Sequence, residues 1–510
     1  MSDVNELAKS LVPSVTTPSE DISRSIMLEA GYSPDLIEKN ITTGTGLVGF
    51  DLQEPAKNLY PVNTPIIKVM PRVGGGFGLA TNWKQVSAIL GSGFDNSPWV
   101  PEGQRAGSMS YTTAPKAANY VTIGEEDQAT FEAISAGQKF EDIKARMVMR
   151  LLQKMMLKEE AAVLFGNTSI SLGTPATPTL SASGAGATLP AATYSVIVVA
   201  LTAEGYRNSL PFLTTTGIKT VTTITGQDGK TFNLNGGSSI KSANATQAVT
   251  LGQTLFANTT SIQGAAGYAW FVGTAGSETL QAITTINSAS FAAPLAGGRQ
   301  AATGVGGSDF SNNATAFDGL LTSALKAGSG AYVNQLATGT AGTGTALTAS
   351  GKGSVNELDT MMQSMWDNNQ CSVSVLYVNS QELRNITTKC LSSGSAPLLQ
   401  YFADPRAGEY ALTAGGTIEF YYNPYLNKKI PIKVHPNLPA GTILGYAEDL
   451  PVQYQSNEVP NVAEIRTRRD YYEIDWPIVT RAQQVGVYAE EVLAVYAPFA
   501  LGVIGNIANG

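Results

Sequence analysis

Residues 140–167 read FEDIKARMVMRLLQKMMLKEEAAVLFGN. Apolar side chains recur in this stretch at spacings of three and four, at Phe140, Ile143, Met147, Leu151 and Met155. This spacing is the period of one helix face, and lysines and arginines lie around that face. The pattern predicts an amphipathic helix within 138–166, about 26 residues or about 39 Å long. Gly166 and Asn167 are expected to end it.

The composition limits the classes of protein to which the chain can belong. Its 510 residues leave room for two to four domains at about 100–200 residues each. Charged residues make up 14% of the chain and the net charge is -8. An acidic balance excludes a dedicated cationic nucleic-acid binder. A hydrophobic content of 43% excludes disorder throughout the chain.

Histidine and cysteine are scarce, with only His435, Cys371 and Cys390 present. A zinc site built from these residue types needs four ligands, and a disulfide-stapled scaffold needs more cysteines. The two cysteines are expected to be reduced and buried. His435 follows a predicted strand without a catalytic signature and is interpreted as structural. We therefore predict no catalytic, cofactor-binding or metal-binding residue, and we expect a protein that is not an enzyme.

Adjacent carboxylates occur at Glu125-Glu126, Glu159-Glu160 and Glu490-Glu491. Neighbouring residues on a helix do not face each other, so these pairs predict no shared acid site. Solvated faces or salt bridges between subunits are expected instead.

The densest positive charge lies at Arg466, Arg468 and Arg469. We interpret this cluster as a solvated strand edge, and contact with phosphate or with a neighbour's acids is the alternative. Gly229-Lys230 and Gly351-Lys352 lack the spacing of a phosphate-binding loop and are predicted to be turns.

The region before the helix predicts two segments that cannot fold alone. Residues 1–60 are polar with short apolar runs, and they indicate an arm that needs a surface to lie on. Residues 61–124 carry strand-like runs at Pro65–Val69 and Ala117–Ile123 with many glycines between them. This arrangement predicts an extended two-stranded loop with too few core residues to stay folded in isolation. A shorter helix at Gln128–Ala136 is expected to precede the long one.

The composition shifts after the helix, and alanine, serine, threonine and glycine dominate as far as Asp309. Asp228-Gly229 is a hairpin-turn signal. Short strands with turn residues between them predict a small β-sandwich. The candidate strands are Thr193–Leu201, Ile218–Ile224, Thr231–Leu234, Ala248–Leu251, Gly267–Val272 and Ala282–Ile286.

The remainder of the chain returns to a mixture of helices and strands. Helices are predicted at Phe317–Leu325 and Glu357–Asn368. Strands are predicted at Val373–Val378, Thr417–Tyr422, Ile430–Val434 and Val485–Tyr496. Val373–Val378 is continuously apolar, which is typical of a strand buried on both faces.

Four stretches resemble tailed-bacteriophage major capsid proteins of the Hong Kong ninety-seven-like fold. EEAAVLFGN (159–167) resembles the close of the spine helix in that family. Residues 51–73 are similar to the arm that leads into the extended loop. Residues 430–450 are similar to the axial-domain strands, and residues 472–504 to the closing strand of the peripheral domain. The order of these pieces is that of the family.

The resemblance implies an α+β fold with an inserted all-β domain. LPAATYSVIVVALTAEGYRNS (189–209) and GYAWFVGTAG (267–276) resemble immunoglobulin-like or fibronectin-type-III strands. The implied organisation is an N-terminal arm (1–60), an extended β loop (61–124), the spine helix of the peripheral domain (125–167), an inserted immunoglobulin-like domain (168–305), an axial domain (306–450) and peripheral return strands (451–510).

The resemblance also implies a function. Copies are expected to form hexamers and pentamers that tile an icosahedral shell around double-stranded DNA. Implied partners are sister copies, a separate scaffold protein, a portal, decoration proteins and non-specifically contacted DNA. We expect no covalent crosslink between loops, because no matching Lys–Asn pair is found.

No signal peptide or membrane span is visible in the sequence. The resemblance implies the virion as the location, with assembly in the host cytoplasm and no membrane. Two alternatives remain, an encapsulin-like nanocompartment shell and a surface adhesin built from immunoglobulin-like modules.

Overall fold

The structure is a computed structural model that describes residues 64–88, 99–105, 112–137, 142–350, 353–392, 400–403, 410–413, 418–451, 455, 459 and 461–508. The predicted arm at 1–60 and the Gly351-Lys352 turn lie outside these residues. The described residues form a mixed α+β protein, which is the predicted class.

The first part of the described chain contains the long helix. Its elements are β1 (Arg72–Val73), β2 (Ala80–Ala88), β3 (Thr112–Asn119), β4 (Val121–Thr130), α1 (Phe131–Gly137) and α2 (Ile143–Phe165). The predicted long helix is confirmed as α2, with 23 residues. It begins after Asp142 because that side chain accepts hydrogen bonds from the Lys144 and Ala145 amides, as an N-cap does. It ends at Gly166, as predicted.

Helix α2 lies on a four-stranded sheet in the order β1-β21-β22-β4, where β21 is Ala463–Asp475 and β22 is Ala482–Val495. Its apolar stripe packs on one face of this sheet, through Met147, Leu151 and Met155 against Val485, Val487 and Ala489. The sheet therefore buries the apolar stripe of α2, for which the sequence alone indicated no packing partner.

Strands β2 and β3 pair antiparallel, from Ala80 opposite Asn119 to Val86 opposite Thr113. They form a two-stranded sheet with no third strand among the described residues. We call residues 80–119, together with residues 77–79 that lead into β2, the hairpin. The predicted strand at Pro65–Val69 is wrong, because Ile66 closes a turn by accepting from the Val69 and Met70 amides. Strand β4 runs on to Thr130, so the short helix α1 starts three residues later than predicted.

The inserted region contains β5 (Thr179–Ser183), β6 (Ala192–Leu201), α3 (Ala203–Ser209), β7 (Val221–Thr225), β8 (Thr231–Asn235), β9 (Ala245–Val249), β10 (Thr254–Asn258), β11 (Gly267–Gly273), β12 (Thr279–Thr284) and β13 (Ser288–Phe291). Two sheets, β13-β10-β5 and β12-β11-β6-β9, enclose one core that includes Val198, Leu255 and Trp270. A β-sandwich is therefore present, and we call it the inserted sandwich. Strands β9 and β12 begin three residues earlier than predicted.

The strand order of the inserted sandwich departs from the immunoglobulin pattern. Counting its seven strands along the chain and leaving out the separate β7-β8 hairpin, the sheets read 1-4-7 and 3-2-5-6. A constant-type immunoglobulin domain places strands 1-2-5-4 in one sheet and 3-6-7 in the other. Only the two-sheet architecture agrees with the resemblance. The β7-β8 hairpin turns at Asp228 and Gly229, as predicted, and Gly229 has a φ of 75°.

The last part of the chain contains α4 (Leu320–Leu325), β14 (Tyr332–Gln335), α5 (Asn356–Asn369), β15 (Val375–Val378), α6 (Ser380–Ser392), β16 (Gln400–Ala403), β17 (Tyr410–Thr413), β18 (Phe420–Asn423), β19 (Lys428–Val434), β20 (Ile443–Tyr446) and β23 (Leu501–Gly505). A six-stranded sheet runs β14-β23-β20-β15-β19-β18. The predicted buried strand is its central β15. Helix α6 was not predicted, and the helix predicted at Phe317–Leu325 is limited to α4.

Candidate assembly interface

The hairpin exposes large apolar side chains that the rest of the described chain does not cover. Phe77 and Leu79, just before β2, are 87% and 81% exposed, and Trp99, between β2 and β3, is 85% exposed. Strand β2 contacts the rest of the chain through Trp83, whose Nε1 donates to the Val495 carbonyl at 3.1 Å, and through the buried Val86. A two-stranded hairpin is marginally stable at best. These side chains therefore form a candidate interface for another chain.

The segment that leads into the hairpin, residues 64–73, is anchored near the C-terminal end of α2. We call it the root segment. The Glu160 carboxylate accepts from the Ile66 amide at 2.8 Å and from the Ile67 amide at 2.9 Å. His435 Nε2 lies 2.8 Å from the same carboxylate, and both side chains are fully buried. His435 Nδ1 accepts from the Asn437 amide at 3.1 Å, so Nε2 carries the proton and donates to Glu160.

The neighbouring Glu159 holds the other end of the root segment. It contacts the Arg72 guanidinium and accepts from the Tyr471 hydroxyl. Arg72 also contacts Asp470 at 2.6 Å and Glu491 at 3.3 Å. We call these five residues the Arg72 cluster. Because neighbouring helix residues point about 100° apart, Glu159 and Glu160 hold both ends of the root segment at once.

Burial and charge shift several pKa values in the Arg72 cluster. Burial, with the charge of Glu159 as the next cause, raises the pKa of Glu491 to about 9. Burial works against the charge of Arg72, but the contacts with Glu159 and Asp470 raise its pKa overall. Burial and the carboxylate of Glu159 also raise the pKa of Tyr471. The cluster therefore keeps its cation charged and favours a neutral Glu491.

These contacts correct the expectation for the paired carboxylates. The expectation of a solvated face is wrong for Glu159, Glu160 and Glu491. All three are buried within one chain, so they need no contact between subunits. Buried carboxylates need donors, and here the donors come from residues far away in sequence. Glu125 is less buried and pairs with Lys154 and Lys158 of α2. As predicted, Glu159 and Glu160 do not share one acid site.

The arginine cluster at 466–469 is a solvated strand edge only in part. Strand β1 pairs with β21 as far as Arg466, whereas Arg469 lies beyond this pairing and is exposed. Arg466 contacts Glu464 at 2.8 Å and the Thr81 hydroxyl at 3.0 Å. Arg468 contacts Glu490 at 2.5 Å and the Gly78 carbonyl at 2.8 Å. Arg469 lies over the Tyr472 ring, with its guanidinium carbon 4.0 Å from the ring centroid. The first two arginines thus attach the start of β2 to the four-stranded sheet.

The inserted sandwich is fixed to the six-stranded sheet by two buried asparagines. The Asn506 Oδ1 accepts from the Asn287 amide at 2.9 Å, and its Nδ2 donates to the Asn287 Oδ1 at 3.1 Å. The same Nδ2 donates to the Leu336 carbonyl at 2.6 Å. Asp318 accepts from the Thr168 amide at 2.9 Å where the insertion begins. The sandwich is therefore attached by more than its two chain connections.

Other candidate chemistry is limited in the part of the chain that the structure describes. Cys371 and Cys390 are reduced, buried thiols, as predicted, and burial raises their pKa values to about 12 and about 11. Within the described ranges, no group of three or more His, Cys, Asp or Glu side chains is placed to hold a metal ion. None of the described helices combines the length and apolar character needed to cross a membrane.

Comparisons with known proteins give structural similarities at low sequence identity. No protein-family model and no curated protein matches the chain. The capsid of a native GTA particle is 9% identical, with a TM-score of 0.37 over 88% of this chain and 92% of that one. The capsid of cyanophage P-SCSP1u is 8% identical, with a TM-score of 0.36 over 98% and 100%. The holo-SrpI encapsulin from Synechococcus elongatus PCC 7942 is 8% identical, with a TM-score of 0.36 over 87% and 86%. These values do not assign the protein to a family.

Proposed function

We propose that this protein is a major capsid protein whose copies assemble as hexamers and pentamers into an icosahedral shell around double-stranded DNA. The observation that carries the proposal is the hairpin, which is firmly anchored at its root while Phe77, Leu79 and Trp99 remain exposed. In an isolated chain, these three apolar side chains would remain in contact with water. A sister copy that covers these side chains would bury them.

The energetics of such a shell come from repetition. At about 25 cal/mol per Å² of apolar surface, a few hundred Å² per contact gives several kcal/mol before ordering costs. One contact of this size is weak, but closed symmetry repeats it for every copy. Assembly is therefore expected to be cooperative, and an isolated copy is expected to be prone to association.

The proposed partners follow from the same shell. The net charge of -8 suits a wall that contacts packaged DNA non-specifically without gripping it tightly. A separate scaffold protein, a portal and decoration proteins complete the proposed particle, which assembles in the host cytoplasm and becomes the virion. The role of the chain is structural, with no catalytic step.

Assembly of the full-length protein tests the proposal. Negative-stain microscopy and light scattering should show closed shells or capsomers for the wild type. The double variant F77S/L79S should remain folded and lose assembly at least tenfold in yield, because it removes apolar surface that only a neighbour can bury. The control L251S changes a side chain that is 75% exposed on the inserted sandwich, and it should assemble normally.

The outcomes separate the proposal from its alternatives. A compact, stable monomer of the wild type in dilute buffer would contradict the shell and would favour the adhesin reading. Closed particles that carry protein cargo and exclude nucleic acid would favour an encapsulin-like compartment. Particles purified from infected or producing cells with double-stranded DNA inside would support the capsid.

A further inference from the structure

The Arg72 cluster contains more buried negative charge than its single cation can balance. The Glu159 and Glu491 side chains are 1% and 0% exposed, and both contact the Arg72 guanidinium. Asp470, the third carboxylate, is 56% exposed and reaches solvent. Tyr471 adds a hydroxyl that donates to Glu159. The adjacent Glu160 is directed away, toward His435.

Hydrogen bonding shows where a proton can reside. The Glu491 Oε1 is buried, and no donor among the described residues reaches it. A buried carboxylate oxygen without a donor is costly if the group is ionised. Two carboxylates that share a site cannot both ionise readily, and one of them keeps its proton. A protonated Glu491 would turn the unpartnered oxygen into a donor toward Glu159.

The Arg72 cluster lies where the chain enters the hairpin. Arg72 belongs to β1, whose two residues pair in parallel with Ile465 and Arg466 of β21. β1 is the last strand before the hairpin, whose strand β2 begins at Ala80. The contacts of Arg72 with Glu159 of α2 and Glu491 of β22 therefore help to attach the root segment.

We propose that Glu491 keeps its proton at neutral pH in a hydrogen bond shared with Glu159, and that this proton makes the Arg72 cluster a pH-dependent latch on the root segment. With the proton in place, only one buried carboxylate charge faces the guanidinium, beside the exposed carboxylate of Asp470. When the proton leaves, two buried carboxylates repel each other across Arg72. The Arg72 end of the root segment then loosens, while the Glu160 carboxylate still holds the Ile66 and Ile67 amides.

The direction of the pH effect follows from linkage. The pKa of Glu491 rises from 4.5 in the unfolded chain to about 9 in the folded one, so the folded state binds more protons between these values. The contribution of this proton to stability is complete below pH 4.5 and is lost as the pH rises through about 9. The latch is closed at neutral pH and opens in alkali.

Hydrogen–deuterium exchange of the full chain at pH 7 to 10 tests the latch. Wild type and E491Q are compared at the same pH, so their intrinsic exchange rates are equal. Between pH 7 and pH 9, the protection of residues 66–88 in the wild type should fall about tenfold per pH unit, because the closed state keeps a proton that the open state releases. Above about pH 9 this fall should level off, and E491Q should show no such pH dependence. E473Q removes an exposed charge from the same sheet (side chain 42% exposed) and should behave like the wild type.

Two results would overturn the proposal. The first is an identical alkaline profile for the wild type and E491Q. The second comes from infrared spectroscopy of the wild type in heavy water, which needs no variant to fold. A protonated-carboxyl band should be present at neutral pH and vanish above about pH 9, and its absence at neutral pH would exclude the shared proton. Neither readout depends on shell assembly, so the latch and the proposed function can fail separately.

Discussion

The inserted sandwich and the hairpin are both built from antiparallel strands, but they satisfy their apolar side chains differently. In the sandwich, two sheets face each other and Leu255, Trp270 and Phe271 are fully buried. In the hairpin, two strands pair with no facing sheet in the described chain, and Phe77 and Leu79 stay exposed.

The difference shows which part of the chain can fold alone and which part depends on a neighbour. A second layer removes apolar area from water within one molecule, and that is the main source of stability. Without a second layer, the same kind of strand offers its apolar side chains to another copy. The following variants test this division, from the largest expected effect to the smallest.

Truncation of the sandwich core should have the largest effect on stability. Trp270 is fully buried, and its Nε1 donates to the Thr284 hydroxyl at 2.8 Å. W270A should lower the free energy of unfolding by about 3–5 kcal/mol, because it leaves a cavity and removes the hydrogen bond to the Thr284 hydroxyl. F77A should change it by less than about 0.5 kcal/mol and impair assembly instead. Urea denaturation followed by circular dichroism checks both. Equal destabilisation by the two variants would contradict the proposed difference between the sandwich core and the exposed hairpin.

Loss of the Glu160 anchor should loosen the hairpin while leaving the sandwich intact. E160A leaves the Ile66 and Ile67 amides and His435 buried without their acceptor, at a cost of about 3 kcal/mol. Hydrogen–deuterium exchange should show lost protection in the root segment and none lost in β11. E132A, at an exposed glutamate of α1 (side chain 60% exposed), is the matched control. Uniform loss of protection across both regions would argue against two separately stabilised units.

Removal of one asparagine at the base of the sandwich should have the smallest effect. N506A deletes the hydrogen bonds to Asn287 and to the Leu336 carbonyl, and it should cost about 1–2 kcal/mol. Limited proteolysis should then cut near the start of the insertion at Thr168. N233A, on the exposed strand β8, should stay as resistant as the wild type. Resistance of N506A equal to the wild type would mean that the chain connections alone fix the sandwich.

Local patterns predicted much of the fold. The three-and-four spacing from Ile143 to Met155 identified α2, because such a stripe is formed by residues close in sequence. The turn signal at Asp228-Gly229 and the apolar runs at β6 and β11 identified the insertion as all-β. The sequence also marked 61–124 as a two-stranded loop, although it misplaced the first strand at Pro65–Val69, where the Ile66 and Ile67 amides are taken by Glu160.

The candidate interface and its anchor were found only in part. The glycine-rich loop was predicted, but Phe77 and Leu79 carried no signal beyond being apolar in a polar stretch. Arg72 and Tyr471 gave no signal either, because an ordinary arginine or tyrosine in a sequence does not reveal a partner hundreds of residues away. An acidic pair at the end of an apolar stripe, Glu159-Glu160, was the available hint, and it was read as solvated.

The sequence by itself determined the α+β class, the long amphipathic helix, the β-rich insertion and the acidic surface charge, because these depend on composition and on neighbours within a few residues. Only the tertiary structure decided the strand order of the inserted sandwich and the burial of Glu159, Glu160 and Glu491. Burial of a charge is set by which distant donors the fold brings within hydrogen-bond distance, and no local spacing encodes that meeting.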